Sequence, residues 1–339
     1  MSLLPFLHQV ADHRDLSASD AQAAMGIILA GETSPAQIAA FLMALRMKGE
    51  SVSELAGFAR AMRQAARMVN APGPLIDTCG TGGDGCGTFN ISTIAAFVIA
   101  GAEVRVAKHG NRSISGGPGS ADLMESLGVK ISHDPAEMAR AVEEVGIAFL
   151  FAPAIHTAMK HAQPVRVDLK MRTVFNLLGP LTNPAGATAQ LVGAPSANAA
   201  ELMAGALAEL GLARGFVVHG SDGLDEITTT GSTVAFEIKA GRVERRVLDP
   251  ADFGVPIAMP ADLKGGDAVE NLEIARAILS GETGPRRDIV LVNASAALVA
   301  AGRAADFIEG MALAARSIDS GAAQAKVDRL VRFTQGVAE

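Results

Sequence analysis

Residues 77–93 read Asp-Thr-Cys-Gly-Thr-Gly-Gly-Asp-Gly-Cys-Gly-Thr-Phe-Asn-Ile-Ser-Thr. Five glycines (Gly80, Gly82, Gly83, Gly85 and Gly87) fall within eight residues, and the apolar run at 94–100 has the composition of a helix. Leu75 and Ile76, just before them, end a short apolar run of strand character. A strand, a glycine loop and a helix in that order present backbone N–H groups and a positive helix end to an anion. Glycine suits such a loop because the chain must visit φ > 0 and approach a ligand with no Cβ in the way. The stretch predicts a phosphate or diphosphate cradle.

The bulk of the chain sets bounds on whose phosphate that is. With 339 residues, 49% of them hydrophobic and 19% charged, the chain has the makings of a folded protein of two domains. A net charge of −7 argues against general binding to nucleic acid or to an anionic membrane. It leaves room for phosphorylated substrates, which need only local cations. Cys79 and Cys86 have neither CxxC spacing nor metal-ligand company, as expected of two reduced thiols. Residues 1–15 lack the basic start and long apolar core of a signal peptide, and no apolar stretch has the length of a bilayer span. The expectation is a cytoplasmic protein.

Outward from the cradle, residues 1 to about 70 read as helices only. Ser34-Pro35 with Gln37, and Ser51 with Glu54, are capping boxes, while Ser17 with Asp20 is a weaker start. Ile38, Phe41, Leu42 and Leu45 recur at helical spacing, and Gly49 is a stop. The breaker cluster at 71–74 marks the expected boundary. Strands then alternate with helices. Strands are expected at 104–107, 147–151, 191–193 and 216–219, with helices at 120–127, 135–145 and 197–210. Residues 233–238 and 242–248 form an expected antiparallel hairpin, and the chain from 267 onward is helical again. This is the pattern of an α/β fold with a mostly parallel central sheet. Prolines and Gly179 interrupt the pattern between 164 and 184, so this piece is expected to leave the sheet.

Four stretches carry chemistry. Gly80-x-Gly82-x-x-Gly85 matches a dinucleotide pattern literally, but the next strand ends in Lys108-His109-Gly110, not in an acid, and Asp84 sits inside the loop. Residues 108–120 gather cations, hydroxyls and glycines at a strand end: Lys108 as a point charge, with Ser113, Ser115 and Ser120 as donors. Asp222-Gly-Leu-Asp225-Glu226 is open to two readings, a solvated turn or a site for a hard cation such as Mg²⁺. A diphosphate beside it favours the cation, because a helix end stabilises a charge by only about 0.3–1 kcal/mol. Arg166 has the fork to grip a carboxylate; His156 and His161 lie nearby in sequence.

Together and in this order, CGTGGDG-GTFNIST, KHGNRS, FNLLGPLTNP at 175–184 and HGSDGLDEI at 219–227 resemble the anthranilate phosphoribosyltransferase family over nearly the whole chain. The resemblance implies a small all-helical domain, residues 1–70 joined by part of about 166–184. Beside it would stand a large α/β domain, residues 71–339, that binds phosphoribosyl pyrophosphate. It implies Mg²⁺, a homodimer, and transfer of phosphoribose to the amine of anthranilate in tryptophan biosynthesis. By matching position, Gly80, Gly83, Asp84, Thr88, Asn90, Ile91, Ser92 and Thr93 would hold phosphoribosyl pyrophosphate. Lys108, His109, Gly110, Asn111, Arg112, Ser113, Ile114, Ser115, Gly116 and Ser120 would complete that site. Ser92, Asp225 and Glu226 would bind Mg²⁺. Gly80, Asn111 and Arg166 would meet anthranilate, with His109 and Pro180 along its approach.

The chain departs from the family at Gly116-Gly117-Pro118-Gly119-Ser120, where relatives read close to Ser-Lys-Ser-Gly-Ser. A cation and a hydroxyl are lost there, and Pro118 removes a backbone donor. No nucleophile–base pair stands out, which suits attack by an amine already neutral at pH 7, with catalysis by positioning and charge stabilisation. Two alternatives stay open: a pyrimidine nucleoside phosphorylase of the same fold, and a catalytically silent relative that binds nucleic acid.

Overall fold

Four helices precede the first strand: α1 (Leu4–Ala11), α2 (Ala18–Ala30), α3 (Pro35–Lys48) and α4 (Val52–Ala65). The computed structural model describes residues 2–113 and 117–337. The helices start where their side chains cap the chain. Ser17 accepts from the Asp20 N–H, Ser34 from the Gln37 N–H, and Ser51 with Glu54 closes a full capping box. Such a cap contributes about 1 kcal/mol relative to alanine. Ile38, Phe41, Leu42 and Leu45 of α3 are all buried, as their spacing predicts.

Beyond residue 71 come β1 (Ile76–Gly80), α5 (Ile91–Gly101), β2 (Val106–Gly110), α6 (Ser120–Ser126), α7 (Pro135–Glu144) and β3 (Ile147–Phe151). Three short helices follow: α8 (Ala152–Ile155), α9 (Gln163–Leu169) and α10 (Phe175–Leu178). Next are β4 (Ala189–Gly193), α11 (Ala197–Glu209), β5 (Arg214–Gly220), β6 (Thr233–Lys239) and β7 (Arg242–Leu248). Helices α12 (Ala268–Leu279), α13 (Pro285–Ala300), α14 (Phe307–Asp319) and α15 (Ala322–Gln335) end the chain.

The strands form one seven-stranded sheet in the order β3-β2-β1-β4-β5-β6-β7. The first five are parallel; β6 and β7 run antiparallel at one edge. Lys239 pairs with Arg242, so the hairpin turns on Ala240 and Gly241, at φ 50° and 76°. Left-handed φ at both central residues is the turn that matches the twist of the strands.

Side chains alternate across the sheet and divide the apolar interior in two. Leu191, Phe216 and Val218 pack with α5 and α12–α15, whereas Val192 and Val217 pack with α11 and the N-terminal helices. Val165, Val174, Phe175 and Leu178 join that second cluster, alongside Phe41, Leu45 and Phe58. The proline-broken segment thus packs against α3 and α4.

Several bounds differ from the sequence reading, and two of the differences bear on the site. β2 begins at Val106 and runs through Lys108 and His109 to Gly110, whereas the composition placed a strand at 104–107. Its ladder to β3, Val106 opposite Ile147 through Gly110 opposite Phe151, carries the polar residues into the sheet. α5 starts at Ile91, three residues before the apolar run, so Ser92 and Thr93 lie in its first turn.

Candidate active site

Four adjacent strands, β2, β1, β4 and β5, end in glycine: Gly110, Gly80, Gly193 and Gly220. Each lets a following loop fold back onto the sheet edge. A Cβ at Gly80 would stand 2.3 Å from Asp225 Oδ2, and one at Gly193 would stand 1.5 Å from the Asp225 carbonyl. At Gly110 it would meet Ser120 Oγ at 2.4 Å, and at Gly220 Asp222 Oδ1 at 2.5 Å. The loops at 81–90 and 221–232, together with residues 111–113 and 117–119, therefore converge at the carboxyl ends of parallel strands, where open α/β sheets bind their ligands.

The first loop is left-handed at Gly82, Gly83, Gly85 and Gly87, with φ between 65° and 76°. This is the conformation its composition predicts. The Gly82 N–H donates to Asp225 Oδ2 at 2.7 Å, and the Cys86 N–H to Asp84 Oδ1 at 3.1 Å. Thr88 makes a single antiparallel bridge with Lys264, whose Nζ donates to the Cys86 carbonyl at 2.6 Å.

Asp225 and Glu226 come down on this loop and on α5. Ser92 N–H donates to Glu226 Oε1 at 3.2 Å. Burial pushes the Glu226 carboxyl well up, and the Asp225 charge pushes it further. Burial likewise raises Asp225, followed by the charge of Asp84 and a hydrogen bond shared with it. Lys108 is buried beneath them: its Nζ donates to the Thr78 carbonyl at 2.5 Å and to Ser92 Oγ at 3.4 Å. Burial lowers its pKa, with Asp77 the first opposing charge. Asp225, half-buried Glu226 and the Ser92 hydroxyl present hard oxygen donors beside a single buried lysine, so the cluster fits Mg²⁺. Among the described residues no three His, Cys, Asp or Glu side chains converge on one point. A hard cation held here would draw its remaining oxygens from water or a phosphate ligand.

Asn90 caps α5 by position only; its Nδ2 donates to the Pro118 carbonyl at 2.9 Å, which joins the first loop to the second. Asn271 of α12 in turn donates to Asn90 Oδ1 at 3.2 Å. Ile91 and Thr93 face the core. At the start of α6, Ser120 Oγ donates to the Asn111 carbonyl at 3.1 Å. Arg112 is engaged by Asp122 and Glu125 of α6, both at 2.7 Å. Ser113 is exposed, and Ile114, Ser115 and Gly116 lie outside the described residues. The departure from the family at 116–120 is thus described only from Gly117 onward.

His109 is turned into the structure. Its ring lies 5.1 Å from that of His156, edge to face. Burial first, and then His156, lowers its pKa to about 3; burial lowers that of His156 to about 4. Both are neutral at pH 7, and among the described residues neither Nε2 has a hydrogen-bond partner. Arg166 stacks its guanidinium over Phe175, 5.4 Å from the ring centre, and donates to Gln163 Oε1 at 3.4 Å. No hydrogen bond joins Arg166 to Asn111 among the described residues.

Four contributors were missed in the sequence: Asp77, Asn183, Gly193 and Arg172. Asp77, fully buried, takes the His109 N–H at 3.0 Å and Asn183 Nδ2 at 2.8 Å, and so ties β1, β2 and the segment after α10 together. Gly193 ends a strand whose composition carries no signal of a site. Arg172 reaches the Gly82 carbonyl at 2.8 Å. Asp77 and Asn183 stand within the stretches 77–93 and 175–184, but neither residue type there signals its role.

The class follows from comparison with known families. Residues 4–66 match the helical bundle domain of a glycosyl transferase family, and residues 72–324 match its a/b domain. The anthranilate phosphoribosyltransferase of Solibacter usitatus is 69% identical over 336 residues, 98% of this chain and 99% of that protein. That of Moorella thermoacetica is 54% identical over 333 residues, 98% of each. The solved enzyme of the same name from Thermus thermophilus superposes with a TM-score of 0.92 at 45% identity, covering 97% of this chain and 99% of that one. The chain belongs to the anthranilate phosphoribosyltransferases. The Saccharomyces cerevisiae member, solved in complex with phosphoribosyl pyrophosphate and Mg, gives a TM-score of 0.91 at 28% identity, covering 99% and 98% of the two chains.

Proposed function

We propose that this chain transfers the 5-phosphoribosyl group from phosphoribosyl pyrophosphate to the amine of anthranilate, releasing pyrophosphate, as a step of tryptophan biosynthesis. The observation that carries the reading is the pair Asp225 and Glu226, which accept from the Gly82 and Ser92 N–H groups in a chain 69% identical to a protein of that name. Neither the phosphorylase nor the silent alternative finds support in the relatives.

In the reaction the bond from the ribose anomeric carbon to the diphosphate oxygen breaks and a bond from that carbon to the anthranilate nitrogen forms. The nitrogen then sheds a proton to water. Mg²⁺, when bound, offsets the charge of the departing diphosphate. Asp225, Glu226 and Ser92 would hold the metal. Gly80, Gly83, Asp84, Thr88 and Asn90 through Thr93 would surround the diphosphate and ribose, Ile91 and Thr93 through main chain only. Lys108 acts from beneath, as a buried charge that fixes Ser92 and Thr78. His109 through Gly116 and Ser120 would complete the site. Gly80, Asn111 and Arg166 would meet anthranilate, and the neutral His109 and Pro180 would line its approach. No residue is assigned as a general base, because the aromatic amine needs none.

Residues 1–70 with part of 166–184 are taken as the helical domain, and 71–339 as the α/β domain. Support comes from the family models on either side of residue 71 and from Val165, Val174, Phe175 and Leu178, which bury with the N-terminal helices. A homodimer is supported by exposed Leu4, Met47, Val167 and Met171 on or beside α1, α3 and α9, which pack together. Sedimentation at two concentrations tests it; a monomer at both contradicts it. Among the described residues no helix is long and apolar enough to cross a membrane. Cytoplasmic placement goes with the biosynthetic reading.

Product analysis tests the function. Mass spectrometry of a mixture of anthranilate, phosphoribosyl pyrophosphate and Mg²⁺ should reveal N-(5-phosphoribosyl)anthranilate. Thymidine with inorganic phosphate should stay intact; cleavage of thymidine in place of transfer would establish the phosphorylase instead.

A further inference from the structure

Arg172 lies between α9 and α10, and the phosphoribosyl-transfer reading gives it no role. Its Nη2 donates to the Gly82 carbonyl at 2.8 Å and also to the Gly83 carbonyl. Its own carbonyl accepts a hydrogen bond from Nη1 of Arg46, in the last turn of α3. A continuous polar path therefore runs from the N-terminal helices through Arg172 to the glycine loop.

The loop needs such a path. Gly82 and Gly83 are exposed, both sit at φ 68°, and neither has a side chain to anchor its peptide planes. In a planar trans peptide the carbonyl and the following N–H point in opposite directions, and the described chain has no cis bonds. A guanidinium on the Gly82 and Gly83 carbonyls thus turns the N–H groups of Gly83 and Asp84 away from itself. The Gly82 N–H is meanwhile fixed on Asp225 Oδ2 at 2.7 Å. Three consecutive amides are set from two sides, one by a carboxylate and one by a cation.

We propose that Arg172 is a positioning residue for the leaving diphosphate: it presets the amides of Gly83 and Asp84, and through Arg46 links that setting to the N-terminal helices. The inference rests on the phosphoribosyl-transfer reading. Preset donors act most where charge develops as the leaving group departs. The planar fork of arginine spans two adjacent carbonyls; a lysine ammonium would serve them less well.

The test compares Arg172→Ala, Arg172→Lys and Arg46→Ala with the wild-type enzyme. In Arg172→Ala the KM for phosphoribosyl pyrophosphate should rise about tenfold, as loss of charge-assisted hydrogen bonds predicts, with the KM for anthranilate within about twofold. Affinity for inorganic pyrophosphate with Mg²⁺, measured by calorimetry, should fall in parallel. Amide exchange over residues 80–86 of the free protein should quicken, at an unchanged melting temperature. Arg172→Lys should recover part of the loss, and Arg46→Ala should move each quantity the same way by less. Unchanged pyrophosphate affinity and loop exchange in Arg172→Ala overturn the proposal. So does a fall in melting temperature accompanied by equal changes in both KM values, which would make Arg172 a strut. A wild-type enzyme without transfer activity refutes the functional reading instead, and the exchange measurement then still reports on the clamp.

Discussion

Gly193 and Asp225 fit together with no room for a methyl group: a Cβ on Gly193 would stand 1.5 Å from the Asp225 carbonyl oxygen. Gly193 pairs with Gly80 across β4 and β1, and Gly80 leaves the space that Asp225 Oδ2 occupies. Two strand ends without side chains thus decide how deep the acidic loop sits.

Gly193→Ala should therefore push Asp225 outward while the fold persists. Displacing a reacting group by about 1 Å costs on the order of 100-fold in rate, and overpacking typically destabilises by about 1–3 kcal/mol. Steady-state kinetics alongside a melting curve check this. A variant with wild-type kcat/KM contradicts the tight seat of Asp225.

Arg166→Ala should raise the KM for anthranilate by about 10- to 100-fold, the range for loss of a hydrogen bond to a charged group. The KM for phosphoribosyl pyrophosphate should stay within about twofold. Arg166 is already held over Phe175, so the arm is oriented before any carboxylate arrives. Equal loss for both substrates would point to damage in the packing of α9 against α3.

The buried histidines predict a pH effect on stability. Their folded pKa values, about 3 for His109 and about 4 for His156, lie below the value of about 6.5 expected in the unfolded chain. Below pH 6.5 the unfolded chain binds more protons than the folded one, so this contribution is full above pH 6.5 and declines as pH falls. Each histidine contributes a slope of up to about 1.4 kcal/mol per pH unit in that window. Asp225 and Glu226, with raised pKa values, act in the opposite sense. The comparison that isolates the histidines is His109→Gln with His156→Gln against wild type, by urea unfolding at pH 4.5 and 7.5. A smaller loss of stability on acidification is expected in the variant, and an equal loss contradicts the assignment.

Much of this was legible in the chain because the signals are local. Ser51 with Glu54 announces α4, the glycines at 82–87 announce left-handed backbone, and DGLDE announces a carboxylate pair. What stayed hidden depends on tertiary pairing. Lys108 has the composition of an exposed phosphate ligand, but the β2–β3 ladder buries it and turns its Nζ onto Thr78 and Ser92. Asp77 is buried because His109 and Asn183, at distant points in the chain, donate to it. Gly193 matters only because Asp225, thirty-two residues later, folds against it. No spacing rule carries such information.

The most direct test of the central claim is a Mg²⁺ titration of anthranilate consumption, followed by its fluorescence, in wild type and in Asp225→Asn with Glu226→Gln. The wild type should consume anthranilate only when phosphoribosyl pyrophosphate and Mg²⁺ are both present. The double variant should need far more Mg²⁺ and turn over on the order of 100-fold more slowly at limiting metal. An identical metal dependence in the two proteins would contradict the account, because Asp225 and Glu226 would then have no part in holding the cation.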